Sequence, residues 1–256
     1  MTPYTSTAYV QYQGHNNAHP QNGFNSQKTT LATQFSGLNR IDSLLSDIQW
    51  APNFNGVTTL TYSFPWANAS TAMWASDYSR ENEPNSAFAL TLAQQQVVRD
   101  ALATWSSVAN ITFTEIAETS SNVGDFRFAW SDVLPPGVAA WAGLPNNYYA
   151  NGGDVWLSSI SSMNRTDASW KPGQAYFFVL IHEIGHALGL KHPFEGASRL
   201  PTTTDTTQYS VMSYTSHPND LYLDTVPNGS GWYSFQYENI NHQTPMLYDI
   251  AAIQYL

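Results

Sequence analysis

Apolar residues recur along this chain with two different periods, and the change from one to the other outlines its elements. At residues 58–64 apolar and polar positions alternate until Pro65 stops the run, which predicts a half-buried strand. Between residues 91 and 109 the spacing changes. Leu92, Val97, Val98, Leu102, Trp105 and Val108 recur mostly three to five residues apart and Asn110 closes the run, which predicts a long amphipathic helix. Residues 111–116 and 125–130 predict two further strands, and residues 153–158 (GDVWLS) predict another after an Asn/Gly turn. The stretch 174–189 predicts a helix whose first half, AYFFVLI, is almost wholly apolar, so it belongs inside the molecule. Beyond Gly189 the pattern is loop-like until a short terminal helix at 246–256, which begins after Pro245. Residues 1–40 are rich in Asn, Gln, Thr and Gly and lack apolar periodicity, so they read as an N-terminal arm or a processed leader. His15 and His19 lie in that arm and read as solvated. No internal repeat and no break in composition divides residues 41–256, which are expected to form one folding unit.

Composition narrows the chemistry. With 42% hydrophobic residues in 256, the chain can bury a conventional core. Only 11% of residues are charged, and the formal net charge of −10 would repel a phosphate backbone, which argues against nucleic acid as a partner. There is no cysteine, so any metal site has to be assembled from the seven histidines and the carboxylates. No stretch approaches the apolar length of a membrane span, and the opening MTPYTSTAYVQYQG lacks the basic and apolar regions of a classical signal peptide.

Within the apolar helix the sequence reads HEIGHALGLKH. His182 and His186 are four residues apart, so their imidazoles stand on one helix face a turn from each other. Gly189 can adopt the left-handed conformation that ends a helix and turns the chain back, letting His192 supply a third nitrogen. Three neutral imidazoles leave a tetrahedral zinc one open position, where a water acquires a pKa of roughly 7, and that is the mark of a catalytic site. Glu183 follows the first ligand directly, so it is placed to take a proton from that water and later to hand it to a leaving amine. Five fixed positions at ~5% usage each would arise by chance in such a chain with odds on the order of one in ten thousand.

At this point the chain resembles the metzincin zinc endopeptidases, which pair an extended zinc motif with a downstream Met-turn. Met212, within YSVMSY, looks like that turn, an apolar floor beneath the zinc histidines. Tyr214 matches the position at which serralysins and astacins carry a tyrosine near the zinc, where its phenol would hydrogen-bond a developing oxyanion. Pro193 after the third histidine, the phrase DTTQYSVMSY, the helix QQQVVRDALATWSSVANITFTEI and the ending PMLYDIAAIQYL are similar specifically to serralysins, over roughly residues 58–256.

The resemblance implies an α+β, zincin-like fold with a twisted, mostly parallel sheet, an antiparallel edge strand and a long active-site helix. The N-terminal part would run to about residue 189 and a short C-terminal part would cover 190–256. It further implies that Gly153, Asp154, Val155, Trp156 and Leu157 form the edge strand that pairs with substrate, with residues 137–145 (GVAAWAGLP) as the cleft rim. Affinity from main-chain bonds common to all sequences would make specificity broad. The expected protein is therefore a secreted, monomeric zinc endopeptidase acting on polypeptides. Its alternatives are a non-catalytic zinc-binding or adhesion module, or a latent form with residues 1–40 across the cleft. Serralysins usually continue into a glycine-rich calcium-binding β-roll; calcium therefore stands beside zinc as a cofactor the resemblance allows, but no G-G-x-G-x-D repeat here encodes it.

Overall fold

The computed structural model describes residues 29–67, 72–75, 78–119, 122–146, 149–159, 170–217 and 219–256. Residues 1–28, with His15, His19 and most of the expected arm, lie outside the described residues. In chain order the first half holds β1 (Thr30–Ala32), α1 (Asn39–Asp42), β2 (Ile48–Trp50), β3 (Thr58–Ser63), β4 (Ala87–Phe88), α2 (Leu92–Ser106) and β5 (Ile111–Glu115). There follow β6 (Phe126–Ser131), β7 (Ala140–Ala142), β8 (Val155–Ser158), α3 (Ala175–Leu188), β9 (Leu221–Pro227), β10 (Tyr233–Asn239) and α4 (Leu247–Tyr255).

The fold is α+β and is organised on a six-stranded sheet of order β5-β3-β6-β8-β7, with β4 paired to β6. From β5 through β8 the neighbours on this path run parallel, whereas β7 closes the edge antiparallel to β8. Parallel strands need crossover connections, and α2 supplies the one between β3 and β5. A complete capping box starts that helix, Gln94 N–H donating to Thr91 Oγ1 at 3.2 Å and Thr91 N–H to Gln94 Oε1 at 3.0 Å. Such a cap is worth about 1 kcal/mol. The helix then buries Val98, Ala101, Leu102 and Trp105 against α3. Trp105 also donates its indole N–H to the Ile181 carbonyl at 3.2 Å, so the two helices are joined by a polar bond inside an apolar contact.

The first half of α3 is apolar on all sides, and the second half carries His182, Glu183 and His186. Tyr176, Phe177, Leu180, Ile181, Ile184 and Ala187 are fully or almost fully buried, each large side chain contributing roughly 1.5–3 kcal/mol. Gly189 ends it at φ +114°, as the pattern predicts, and Leu190 N–H returns to the Gly185 carbonyl at 2.9 Å. Behind it, the segment 29–50 lies across the C-terminal part: Gln49 donates to the terminal Leu256 carbonyl at 3.0 Å, and Trp50 to the Ala187 carbonyl at 2.7 Å.

The sequence-based expectation of a loop from Gly189 to Met246 needs correction. Leu221–Pro227 and Tyr233–Asn239 pair antiparallel as a two-stranded hairpin, Tyr237 opposite Leu223 and Phe235 opposite Thr225. The alternation of Tyr233, Phe235 and Tyr237 and the turn residues Asn228 to Gly231 are the signal that could have revealed it. It is weak as a core signal because these aromatics remain mostly exposed.

Candidate metal centre

The regular geometry of α3 puts His182 and His186 on one face, where their rings lie 4.8 Å apart and nearly perpendicular. The turn at Gly189 then brings the chain back. Leu190 forms an antiparallel bridge with Leu45, Lys191 N–H donates to the Leu44 carbonyl at 2.7 Å, and His192 follows, fully buried. His192 Nε2 lies 3.0 Å from His186 Nε2 and 3.3 Å from His182 Nε2. One ligand atom from each of the three lies within 4.8 Å of the others, and no second such group of His, Asp or Glu occurs among the described residues.

The outer nitrogens fix the ring orientations. His182 Nδ1 faces the Val211 carbonyl at 2.7 Å and His186 Nδ1 faces the Leu190 carbonyl at 2.8 Å. A carbonyl only accepts, so both rings carry their hydrogen on Nδ1 and turn an Nε2 lone pair inward. Lone pairs meeting at about 3 Å repel unless a cation lies between them. Tetrahedral zinc with bonds of about 2.0–2.1 Å has ligand–ligand edges of roughly 3.3 Å, and the observed separations match that within a few tenths of an ångström. Burial holds all three imidazoles below their ordinary range, His182 at about 4, and neighbouring histidines lower His186 and His192 further. They are neutral at pH 7, the state a metal requires. The residues present thus fit zinc.

Glu183 is 4% exposed, and its Oε2 has no hydrogen-bond partner among the described residues. Burial pushes its carboxyl up to about 8, while a divalent charge held by the three imidazoles would favour the carboxylate. Tyr214 is half-buried beside the same rings, its centroid 4.5 Å from that of His192 and 5.7 Å from that of His182. Met212 is fully buried under α3. A Cβ built on Gly185 would stand 2.6 Å from Met212 Sδ, so glycine is what lets the helix settle on that floor.

Two carboxylates that the sequence pattern does not single out hold the floor in place. Asp249, in the first turn of α4, accepts from Ser210 Oγ at 2.6 Å and from the backbone N–H groups of Val211 and Met246 at 2.8 Å each. Asp205 accepts from Ser213 Oγ at 2.6 Å. Only the presence of Asp205 and Asp249 inside the phrases DTTQYSVMSY and PMLYDIAAIQYL hinted at them.

The expectation that Gly153, Asp154, Val155, Trp156 and Leu157 form a free edge is overturned. Val155–Ser158 is bonded to β6 on one side and to β7 on the other, and all four residues are buried. Gly153 and Gly143 also pair on the β7 side, Gly153 N–H donating to the Gly143 carbonyl at 3.0 Å. The run VWL is continuous and apolar because this strand is interior. The edge belongs to Ala140–Ala142, inside the segment expected as the cleft rim, and that strand packs on α3.

Asp154 instead anchors a buried aromatic cluster, accepting from Tyr78 Oη at 2.5 Å, while Trp156 Nε1 donates to Tyr78 Oη at 2.9 Å. Burial pushes its carboxyl up to about 8. A folded-state value above the unfolded one means that the native protein binds the extra proton. The stabilisation from Asp154 is therefore complete below about pH 4 and is lost as the pH rises through 8. Asp154→Asn should flatten the decline in urea midpoint between pH 5 and pH 8.5 relative to the parent protein, and parallel profiles would refute this.

Comparison with known proteins adds the context. The matrixin family profile matches residues 74–213. Serralysin from Proteus mirabilis is 31% identical over 217 residues, covering 77% of this chain and 39% of the relative. Metallopeptidase AprA from Pseudomonas marginalis is 35% identical over 214 residues, covering 79% and 40%. Serralysin A from Dickeya chrysanthemi is 35% identical over 170 residues, covering 64% and 32%. The chain thus spans 32% to 40% of the length of these relatives.

Proposed function

Since the chain belongs to the matrixin family and is a serralysin-like metzincin, we propose that it is a zinc endopeptidase in which His182, His186 and His192 hold the metal and Glu183 is the general base. The observation that carries this reading is the meeting of three neutral, inward-facing Nε2 atoms beside a buried, unpartnered carboxylate oxygen. When bound, zinc supplies a Lewis acid that lowers the pKa of a water to about 7 and polarises a carbonyl.

The chain's own groups do the rest. Glu183 takes the proton of the attacking water and passes it to the leaving amine. That carboxylate is buried, which keeps bulk water from competing for the proton. The Tyr214 hydroxyl donates to the oxygen that becomes negative in the tetrahedral state. Met212, on a segment held by the bonds of Asp249 to Ser210 and Val211, is the floor on which α3 rests at Gly185, between the two helical imidazoles. An extended substrate adds to the side of the edge strand Ala140–Ala142 that pairs with no strand among the described residues, and that strand lies against α3. Main-chain bonding there makes few demands on side chains, which supports broad specificity. Secretion belongs to the same reading, carried by the serralysin resemblance. Among the described residues no helix is long and apolar enough to cross a membrane.

Digestion of β-casein followed by mass spectrometry of the fragments tests the proposal. Internal cleavages are expected that stop with o-phenanthroline and return when zinc is restored. A protein that binds zinc and leaves casein intact, or cleaves equally well after chelation, contradicts it.

A further inference from the structure

The three imidazoles are not held alike. His182 and His186 sit on a buried helix and face backbone carbonyls of Val211 and Leu190. His192 lies on the irregular turn that follows Leu190, and its Nδ1 stands 3.0 Å from Glu195 Oε1 on that same turn, an electrostatic contact without hydrogen-bond alignment. The ring also stacks on Phe194 at 5.0 Å, so its plane is set by neighbours two and three residues along. The direction of the third nitrogen therefore depends on how firmly residues 192–198 keep their shape, and no helix or strand supports them.

What shapes the turn is an ammonium group. Lys191 Nζ donates to the Glu195 carbonyl at 2.9 Å, the Ser198 carbonyl at 3.1 Å and the His192 carbonyl at 3.4 Å, and also to the Ser43 carbonyl just after α1. Carbonyls that converge on one point need a cation or donors at the centre, and an ammonium offers three donors and no acceptor, one N–H here being shared between two of the four carbonyls. The side chain thus ties the turn to itself and to the segment carrying Leu44 and Leu45, which pair with Lys191 and Leu190 through the backbone. Glu195 N–H closes the loop on the His192 carbonyl at 3.1 Å.

We propose that Lys191 and Glu195 are positioning residues for His192, the ammonium shaping the turn and the carboxylate aiming the ring, so that both set the affinity for zinc. The inference rests on the reading of His192 as a zinc ligand. Its readout is metal affinity and not proteolysis, so the two can fail separately. The zinc dissociation constant of the zinc-free protein is measured by competition with a chromophoric chelator for the parent, Lys191→Met, Lys191→Arg and Glu195→Gln, alongside each melting temperature without metal.

Partners that orient a ligand typically change metal affinity by about 10–100-fold. Lys191→Met is expected to weaken zinc at least tenfold and Lys191→Arg, which keeps a cation, to recover most of the loss. Glu195→Gln should weaken it at least fivefold with little change in the zinc-free melting temperature. If Lys191→Met does not fold, the Glu195 variant decides. Zinc constants within twofold of the parent in every folded variant, with only the melting temperature lowered, overturn the proposal and reduce the cluster to a structural staple. A parent that binds zinc yet cleaves no peptide leaves the inference standing and removes only the protease reading.

Discussion

Glu183→Ala is expected to lower kcat/KM on casein by about a thousandfold or more while zinc still binds at one ion per chain. General-base catalysis is worth about 10²–10⁴-fold, and among the described residues the carboxylate of Glu183 is the one that stands directly beside His182 on the metal-facing helix. It does not compete with the imidazoles for the metal, because a neighbour in sequence on a helix points about 100° away from the first ligand. Removing it takes away a buried acid with an unpartnered oxygen, and so leaves no orphaned charge behind. Metal content and kinetics measured on the same preparation check this. Turnover within tenfold of the parent, or loss of zinc together with activity, would contradict the assigned role.

Gly185→Val is expected to cost about 3 kcal/mol of stability and to weaken zinc binding at the same time. A Cβ at this position meets Met212 Sδ at 2.6 Å and the Trp105 ring at 3.2 Å, both fully buried, so neither can swing into solvent. Overpacking a core of this kind costs about 1–3 kcal/mol, and two further methyl groups press towards the upper end. The strain reaches the site because Gly185 lies between His182 and His186, on the face that rests against the Met212 floor. Urea unfolding of Gly185→Val, Met212→Ala and the double variant measures it. The double variant should be more stable than the two separate losses predict, since the smaller side chain makes room for the valine; strictly additive losses would show that the floor does not bear on the helix.

Legibility in the sequence follows the range of the interactions. The site was readable because its parts are local: a helical turn separates His182 from His186, and Gly189 reverses the chain within the same eleven-residue phrase. The strands Thr58–Ser63, Ile111–Glu115 and Phe126–Ser131 and the two long helices were equally readable, since their periods are long enough to count. The neighbours of a strand are not encoded in its own residues. VWLS announces a strand, but only the segment AWA, three residues long and too short to register as a strand by itself, makes it interior instead of an edge. The supports of the site escaped notice for the same reason. Asp249 reaches Ser210 across 39 positions, and Lys191 reaches Ser43 across 148, so no window on the sequence contains both partners. Glu195 is close in sequence to His192, but a carboxylate three residues past a histidine on a loop is too common an arrangement to carry meaning without the turn.

The account depends above all on the three imidazoles sharing one ion. X-ray absorption at the zinc edge of the reconstituted protein addresses that directly. The expected spectrum has three imidazole nitrogens at about 2.0–2.1 Å and one further oxygen, as a catalytic site requires. An imidazole count of two or fewer, or a shell completed by a fourth protein side chain, would contradict it.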